Sequence, residues 1–299
     1  MNMQRSHSSK PLWLYKGLLL LAAAIWGLGT VVIKSTVDVF PPLWLVGVRF
    51  GCAGLVLGAV TFGRIRAYLN SDHARCGVVL GVLLFLSYWT NSLGLTDTTA
   101  SNSSFLTTLY VVIVPFLALP VLHKRPTFAN VGAALLCIAG VGCVAYNGAA
   151  GLSLRFGDLA TMASALFLAL HVLYTSKLAP HRNMTALTVI QFLVAGVLGV
   201  LFGLASGNTP DFANLTIDTW ISVGYLALFA SAIALFLQNV SLAHVPPAPA
   251  SLFLSTESVF GVAFSMLFLG EQLTASLGLG FALIFAGILV SEYFSARSS

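Results

Sequence analysis

Ten apolar stretches, each about twenty residues long, fill almost the whole of a 299-residue chain. That pattern limits the available folds severely. About 20 apolar residues in helical form cross the hydrocarbon core of a bilayer. Lipid offers no hydrogen bonds, so a spanning segment satisfies its backbone as a helix or within a closed barrel. A barrel needs short alternating strands, and runs such as 17–25 and 129–145 do not alternate. The spans are expected near 14–36, 43–63, 76–95, 98–122, 127–146, 157–178, 185–205, 217–240, 249–269 and 275–294. Charged residues are 8% of the chain, against about 25% in soluble domains. That leaves no room for a sizeable soluble domain.

The net charge of +5 serves here as a topology signal rather than a sign of nucleic acid. With the N-terminus placed in the cytoplasm, one side receives Arg5, Lys10, Lys16, Arg64, Arg66, Arg75, Lys124, Arg125, Lys177, Arg182 and Arg297. The other receives Lys34 and Arg155, and Arg49 falls inside a span. Such a bias follows the positive-inside rule and predicts both termini in the cytoplasm. The first apolar run continues past Ala22–Ala24 to Ile33, which is longer than a signal-peptide core, so an uncleaved helix is expected. Cys52, Cys76, Cys137 and Cys143 form no CxxC pair and are read as small apolar packing residues. No cofactor or metal site is expected.

The two halves carry a similar order of features. Ser92 opens SLGLTDTTASNSSFLTTLY, and a further apolar helix ends at His123-Lys124-Arg125-Pro126-Thr127. Ser241 opens SLAHVPPAPASLFLSTESVF, which ends at Gly270-Glu271-Gln272-Leu273-Thr274. A helix rich in Gly and Ala follows each, with Gly132, Ala133, Gly140 and Gly142 in one and Gly278, Gly280, Ala286 and Gly287 in the other. Small residues allow helices to approach closely in lipid. Five spans per half is an odd number, so the second copy enters the membrane upside down. The expected class is therefore an all-α membrane protein of ten transmembrane helices. They form two inverted five-helix repeats, 1–148 and 149–299, around a central cavity. Inverted repeats are a common device of secondary transporters; duplication of a packing unit is the alternative.

Polar residues deep in spans point to a pathway. Glu257 lies about halfway along the ninth span, either as a substrate-amine or proton site or as a structural hydrogen-bond acceptor. Arg49, in the second span, could bind a substrate carboxylate, snorkel toward the outer interface or pair with Glu257, and a structural or snorkelling role is slightly favoured. Lys34 is read as an interface anchor, and His244 as solvated. His171 shares a helical face with Ser164 and Thr175 and has a side chain that titrates near neutral pH; a structural histidine is an equal alternative. In the fourth span Ser101, Ser104 and Thr108 form one stripe, Ser103, Thr107 and Tyr110 the next, and Asn102 lies between. Lining a cavity fits best, with helix–helix hydrogen bonding as the second reading. Pro115 is expected to kink this helix, and Pro246, Pro247 and Pro249 to make a rigid turn before the ninth. Trp26 and Trp89 are deep, whereas Trp13, Trp44 and Trp220 sit near span ends, as interface anchors do. Gln238 and Ser231 form a polar stripe on the eighth span. The candidate substrate-binding set is Trp26, Trp89, Asn102, Tyr110, His171, Gln238 and Glu257.

Together these residues resemble the EamA-like branch of the drug/metabolite transporter superfamily. The resemblance rests on Trp26-Gly27, Lys34, Pro41-Pro42, Arg49-Phe50 and Ala53-Gly54-Leu55, on the run 99–107 with Tyr110-Val111-Val112 and Pro115, and on Gln238, Glu257-Ser258-Val259-Phe260 and Leu269-Gly270-Glu271. Ser258 stands where the family often has Pro, and His123-Lys124-Arg125 where it often has a Gly-Glu turn. The resemblance implies two inverted repeats, a central cavity and export of amino acids or other small metabolites. The expectation is a secondary carrier for a small polar or zwitterionic solute in a bacterial inner membrane, not an enzyme. Uptake or exchange is the alternative, and a membrane-embedded enzyme a weaker one, since no acid cluster for a metal-bound phosphate and no Walker A motif occur. Expected partners are the small-molecule substrate and lipid, not nucleic acid; proton coupling and the choice of monomer or homodimer stay open.

Overall fold

The computed structural model describes residues 12–146, 153–178, 180–242, 244–245 and 253–295. Its regular elements are helices: α1 (Leu12–Thr36), α2 (Pro42–Ile65), α3 (Ser71–Gly94), α4 (Ala100–Thr108), α5 (Tyr110–Leu122) and α6 (Phe128–Ala145), then α7 (Phe156–Leu178), α8 (Met184–Ala205), α9 (Ile217–Ala227), α10 (Ala234–Leu242), α11 (Glu257–Leu269) and α12 (Ala275–Ser295). A π-helical segment, Leu228–Ile233, joins α9 to α10. Among the described residues eight helical stretches have the length and composition to cross a bilayer, with Ala100–Leu122 and Ile217–Leu242 each built from two helices. Two shorter apolar helices, Phe253–Leu269 and Ala275–Ser291, stand where the ninth and tenth spans were expected. Pro246, Pro247 and Pro249 lie outside the described residues.

Local chemistry explains the helix starts. Asn70, Thr99, Asn183 and Thr216 each accept a backbone N–H from the first turn of α3, α4, α8 and α9. Thr127 and Asn130 cap α6 reciprocally. Pro42 opens α2, where its missing N–H has no helical partner to lose. Pro115 lies inside α5. Its ring crowds the carbonyl four residues back, and the helix breaks just before that point, at Leu109.

The helices pack through small residues. A Cβ on Gly47 would lie 2.8 Å from Val200 N, and one on Gly199 would lie 2.5 Å from Gly47 N, so α2 and α8 touch backbone to backbone. A Cβ on Gly140 would stand 2.7 Å from Gly280 O, and one on Gly287 2.8 Å from Ala133 O, which joins α6 to α12. Gly132 and Gly142 have nothing within 4 Å and do not belong to that seam. Further packing pairs are α3 with α7 and α8, α1 with α9, α10 and α11, and α7 with α4 and α5. The four cysteines are free thiols, with Cys137 donating to Ile284 O within the α6–α12 seam.

Trp13 and Trp220 are exposed, as interface anchors are. Trp44 is not: it is buried, with its ring over Gly203 and edge-on to Phe212 at 5.4 Å. Proximity to a span end did not distinguish an anchor from a ring that fills the gap opposite a glycine.

Candidate functional site

The π-helical segment opens the helical ladder in the middle of the Ile217–Leu242 stretch. The N–H of Ala234 donates to Phe229 O, five residues back, and Ala230 O receives side chains from two other helices. Trp26 Nε1 donates to it at 2.7 Å and Arg49 Nη2 at 3.4 Å. Arg49 Nε donates to Ser231 Oγ at 2.8 Å, and Ser231 Oγ donates to Leu226 O at 2.9 Å. Tyr225 Oη donates to Ile25 O at 2.8 Å. Single π turns inside helices are frequent at functional sites, and this one gathers α1 and α2 onto one carbonyl.

Arg49 is buried at 3% exposure and does not snorkel. Its guanidinium lies over the Tyr88 and Phe50 rings, at 4.7 and 5.1 Å from their centres. Among the described residues no carboxylate lies within 4 Å of it, the one ion pair being Arg182–Asp72. A direct Arg49–Glu257 pair is therefore not formed.

Glu257 is the first residue of α11, just after a turn at Thr256 whose backbone stays in the right-handed helical region. Thr256 Oγ1 donates to Phe253 O and Ser258 Oγ to Ser255 O, the kind of back-bonding that bends helices. The Glu257 side chain is half-buried, and no hydrogen bond or ion pair to a described residue holds its carboxylate. Its neighbourhood is set by α1, because a Cβ on Gly27 would meet Glu257 O at 2.9 Å and Gly261 N at 2.8 Å. Arg49, Tyr88 and Glu257 lie within electrostatic reach of one another. Trp26, Arg49, Tyr88 and Glu257 therefore form one neighbourhood contributed by α1, α2, α3 and α11.

The other candidates are placed less uniformly. Trp89 stacks on Phe85 at 5.8 Å in the aromatic cluster that holds Phe50 and Tyr88, so it borders this group. His171 Nε2 shares a 2.8 Å hydrogen bond with Oε1 of Gln191, a buried α8 residue that sequence reasoning did not single out. Ser164, on the same face, takes a bond from Ser87 through its carbonyl, and Thr175 Oγ1 is buried without a hydrogen-bond partner among the described residues. Tyr110 packs against the α5–α6–α12 cluster. Gln238 is half-buried on α10. Asn102 is drawn to the end of the bundle, where Nδ2 donates to Asp158 at 3.4 Å while its buried Oδ1 has no partner among the described residues.

The serine-rich stripe of α4 is accounted for by bonds within and between helices rather than by a cavity lining. Ser101 and Ser265 share a 2.9 Å bond, Asn91 Nδ2 donates to Ser103 and Thr107, and Ser104 and Thr108 donate to carbonyls of their own helix. Lys34 is tied as well: its Nζ donates to Leu95 O at 2.8 Å, beyond the end of α3.

Carboxylates knit this end of the bundle. Glu271 accepts the N–H groups of Ala100 at 2.8 Å and Ser101 at 3.0 Å, so it caps α4 from the α11–α12 turn. Asp97 accepts the Gly157 N–H at 2.8 Å, and Asp158 accepts Thr98 Oγ1 and the Arg155 N–H. At the opposite end Arg182 grips Asp72 at 2.7 and 2.9 Å, and Asn183 N donates to His73 Nε2. Burial, the largest single influence on Glu271, pushes its carboxyl up, but hydrogen bonds from the Ser101 and Ser265 side chains and the Ser101 and Ala100 backbone together hold it below the ordinary value. A lowered folded value contributes stability above the unfolded carboxyl range, and that stability is lost as pH falls through the folded value. Thermal unfolding is expected to show wild type keeping its advantage over Glu271→Gln from pH 7 down to about pH 5 and losing it progressively between about pH 5 and pH 3; a gap that stays constant down to about pH 3 contradicts the capping role.

Comparison with known proteins places the whole chain. Residues 14–146 and 155–293 each match the EamA-like transporter family. An "Uncharacterized transporter" of Archaeoglobus fulgidus is 30% identical over 91% of this chain and 84% of its own length. The "Uncharacterized transporter YetK" of Bacillus subtilis is 27% identical over 90% and 84%. The "Uncharacterized inner membrane transporter YedA" of Escherichia coli is 28% identical over 92% and 90%. A solved crystal structure with 18% sequence identity shares the fold at a TM-score of 0.65, covering 96% of this chain and 98% of the other. With its apolar helices and its two family matches, the chain is an integral membrane protein that belongs to the EamA-like transporter family.

Proposed function

We propose that the protein is a secondary carrier that exports a small polar or zwitterionic metabolite, an amino acid among the candidates, by alternating access. The observation that carries this reading is the half-buried Glu257 carboxylate, held by no described partner beside Trp26, Arg49 and Tyr88. A carboxylate deep in a membrane bundle is costly, and a solute ammonium offsets that cost.

Alternating access needs two related halves, here 1–148 and 149–299 as inverted five-helix repeats. Several observations support that division. The family match occurs once in each half. His123 and Gly270 both end their helices in the left-handed conformation, at φ 57° and 67°, and four residues later Thr127 and Thr274 each accept an N–H from the next helix. Histidine therefore takes the place of glycine at a matched helix end. Packing is also paired: exchanging the halves maps the α2–α8 and α6–α12 seams onto themselves. The same exchange maps α3–α7 onto α1 with α9–α10, and α1–α11 onto α7 with α4–α5. On this reading the Glu271 and Asp97 bonds close one side, the Arg182–Asp72 grip closes the other, and transport releases them in turn. The charge bias supports placing the Arg182 end and both termini in the cytoplasm, and the relatives from Escherichia coli and Bacillus subtilis support a bacterial inner membrane.

Proteoliposomes loaded with a labelled amino-acid mixture test the reading. Protein-dependent, saturable efflux that responds to an imposed pH gradient is expected for a proton-coupled exporter. Efflux indifferent to pH removes proton coupling alone, and the absence of any protein-dependent flux contradicts the proposal for this substrate class.

A further inference from the structure

Arg49 is a buried cation whose surroundings hold it in place but do not neutralise it. Nε and Nη2 make its hydrogen bonds, to the neutral oxygens of Ser231 and Ala230. Its faces rest against Tyr88 and Phe50. Nη1 makes no hydrogen bond to a described residue. Among the described residues no carboxylate stands within 4 Å, although Glu257 is within electrostatic reach and equally has no hydrogen-bond or ion-pair partner there. Buried charges are normally paired, and leaving one unpaired is strongly unfavourable. Two opposite charges kept apart in one neighbourhood leave a gap that a ligand bearing both charges would complete.

We infer that Arg49 is the anion subsite of the transport site and binds the carboxylate of a zwitterionic solute whose ammonium meets Glu257. The inference rests on the carrier reading and adds the second contact. The guanidinium suits the task, because its planar fork recognises a carboxylate through two parallel bonds. The π-helical segment supplies the anchoring: it presents the Ala230 carbonyl and Ser231 hydroxyl to the Nε–Nη2 edge of the guanidinium and leaves Nη1 and the second N–H of Nη2 for the ligand. Trp26, bonded to the same carbonyl, links this anchor to α1, whose next residue, Gly27, packs on the Glu257 backbone. Anion and cation subsites are thus set from α2 and α11 about a shared wall.

The test uses the full chain in lipid nanodiscs and follows its thermal stability with ligand. The probes are glycine, serine, leucine, phenylalanine and glutamate, each as the free amino acid, as its amide without the carboxylate, and as its N-acetyl form without the ammonium. At least one free amino acid is expected to stabilise the protein, with its amide and N-acetyl forms each binding tenfold or more weakly. Arg49→Gln should abolish the preference for acid over amide, whereas Glu257→Gln should keep that preference and lose the preference for a free ammonium. Should Arg49→Gln fail to fold, Arg49→Lys retains the charge without the fork and is expected to weaken the acid tenfold while leaving the amide unchanged. In wild type alone, amides binding as tightly as acids overturn the inference. If that amide binding still requires Glu257, the carrier reading stands without it. No stabilisation by any probe overturns the inference as well.

Discussion

Glu257→Gln is expected to weaken binding of an amine-bearing amino acid by about tenfold to a hundredfold, the worth of a hydrogen bond to a charged group of about 1.5–3 kcal/mol. The substitution keeps the shape of the side chain and removes its charge. No hydrogen bond or ion pair to a described residue holds the native carboxylate, so the folded protein loses no contact of that kind. Melting temperature and membrane yield should stay at wild-type levels while affinity falls. A structural carboxylate behaves in the opposite way, with lower stability and no selective loss of binding. A carboxylate that serves proton coupling alone leaves affinity intact and removes the response of flux to a pH gradient. Unchanged affinity in a well-folded variant removes Glu257 from the substrate site.

The second large effect concerns the α2–α8 seam. Gly199→Val places a branched side chain where a Cβ alone would already lie 2.5 Å from Gly47 N and 2.8 Å from Leu43 O. These are backbone atoms, which cannot swing aside as a flexible side chain can. Overpacking of a tight core costs about 1–3 kcal/mol, and the seam joins one half of the chain to the other. The variant is expected to melt several degrees lower or to fail to accumulate in the membrane. Gly132→Ala is the matched control, since nothing lies within 4 Å of the added carbon and alanine favours a helix by about 0.5–1 kcal/mol. Equal stability of the two variants in nanodiscs contradicts the assigned seam.

The membrane class was legible from span length and polarity alone, because lipid restricts the backbone more sharply than water does. Cap residues at Thr99, Thr127 and Asn183 and the break before Pro115 follow from local chemistry. What the sequence concealed depends on contacts between distant spans. Arg49 looked able to snorkel because its depth within the span said nothing about the Ser231 and Ala230 acceptors waiting on another helix. The serine stripe of α4 looked like a cavity wall, since polarity on a helix gives the same pattern whether it faces water or the hydroxyls of α11 and the Asn91 amide. Gln191 carried one available signal, an amide within an otherwise apolar span, in the sequence LTVIQFLVAG. The π-helical turn carried none, as LFASAI has the composition of ordinary helix.

Transport by alternating access through this site requires Glu257 to lie in a pathway that water and solute reach from each side in turn. A Glu257→Cys variant tests this, with Cys52, Cys76, Cys137 and Cys143 replaced and the protein inserted in one orientation in sealed vesicles. A membrane-impermeant cationic methanethiosulfonate is applied to one face or the other. The predicted result is modification from both faces, in vesicles that stay tight to the reagent. No modification from either face, in a folded protein, would contradict the account, because position 257 would then be sealed within the bundle or turned to lipid.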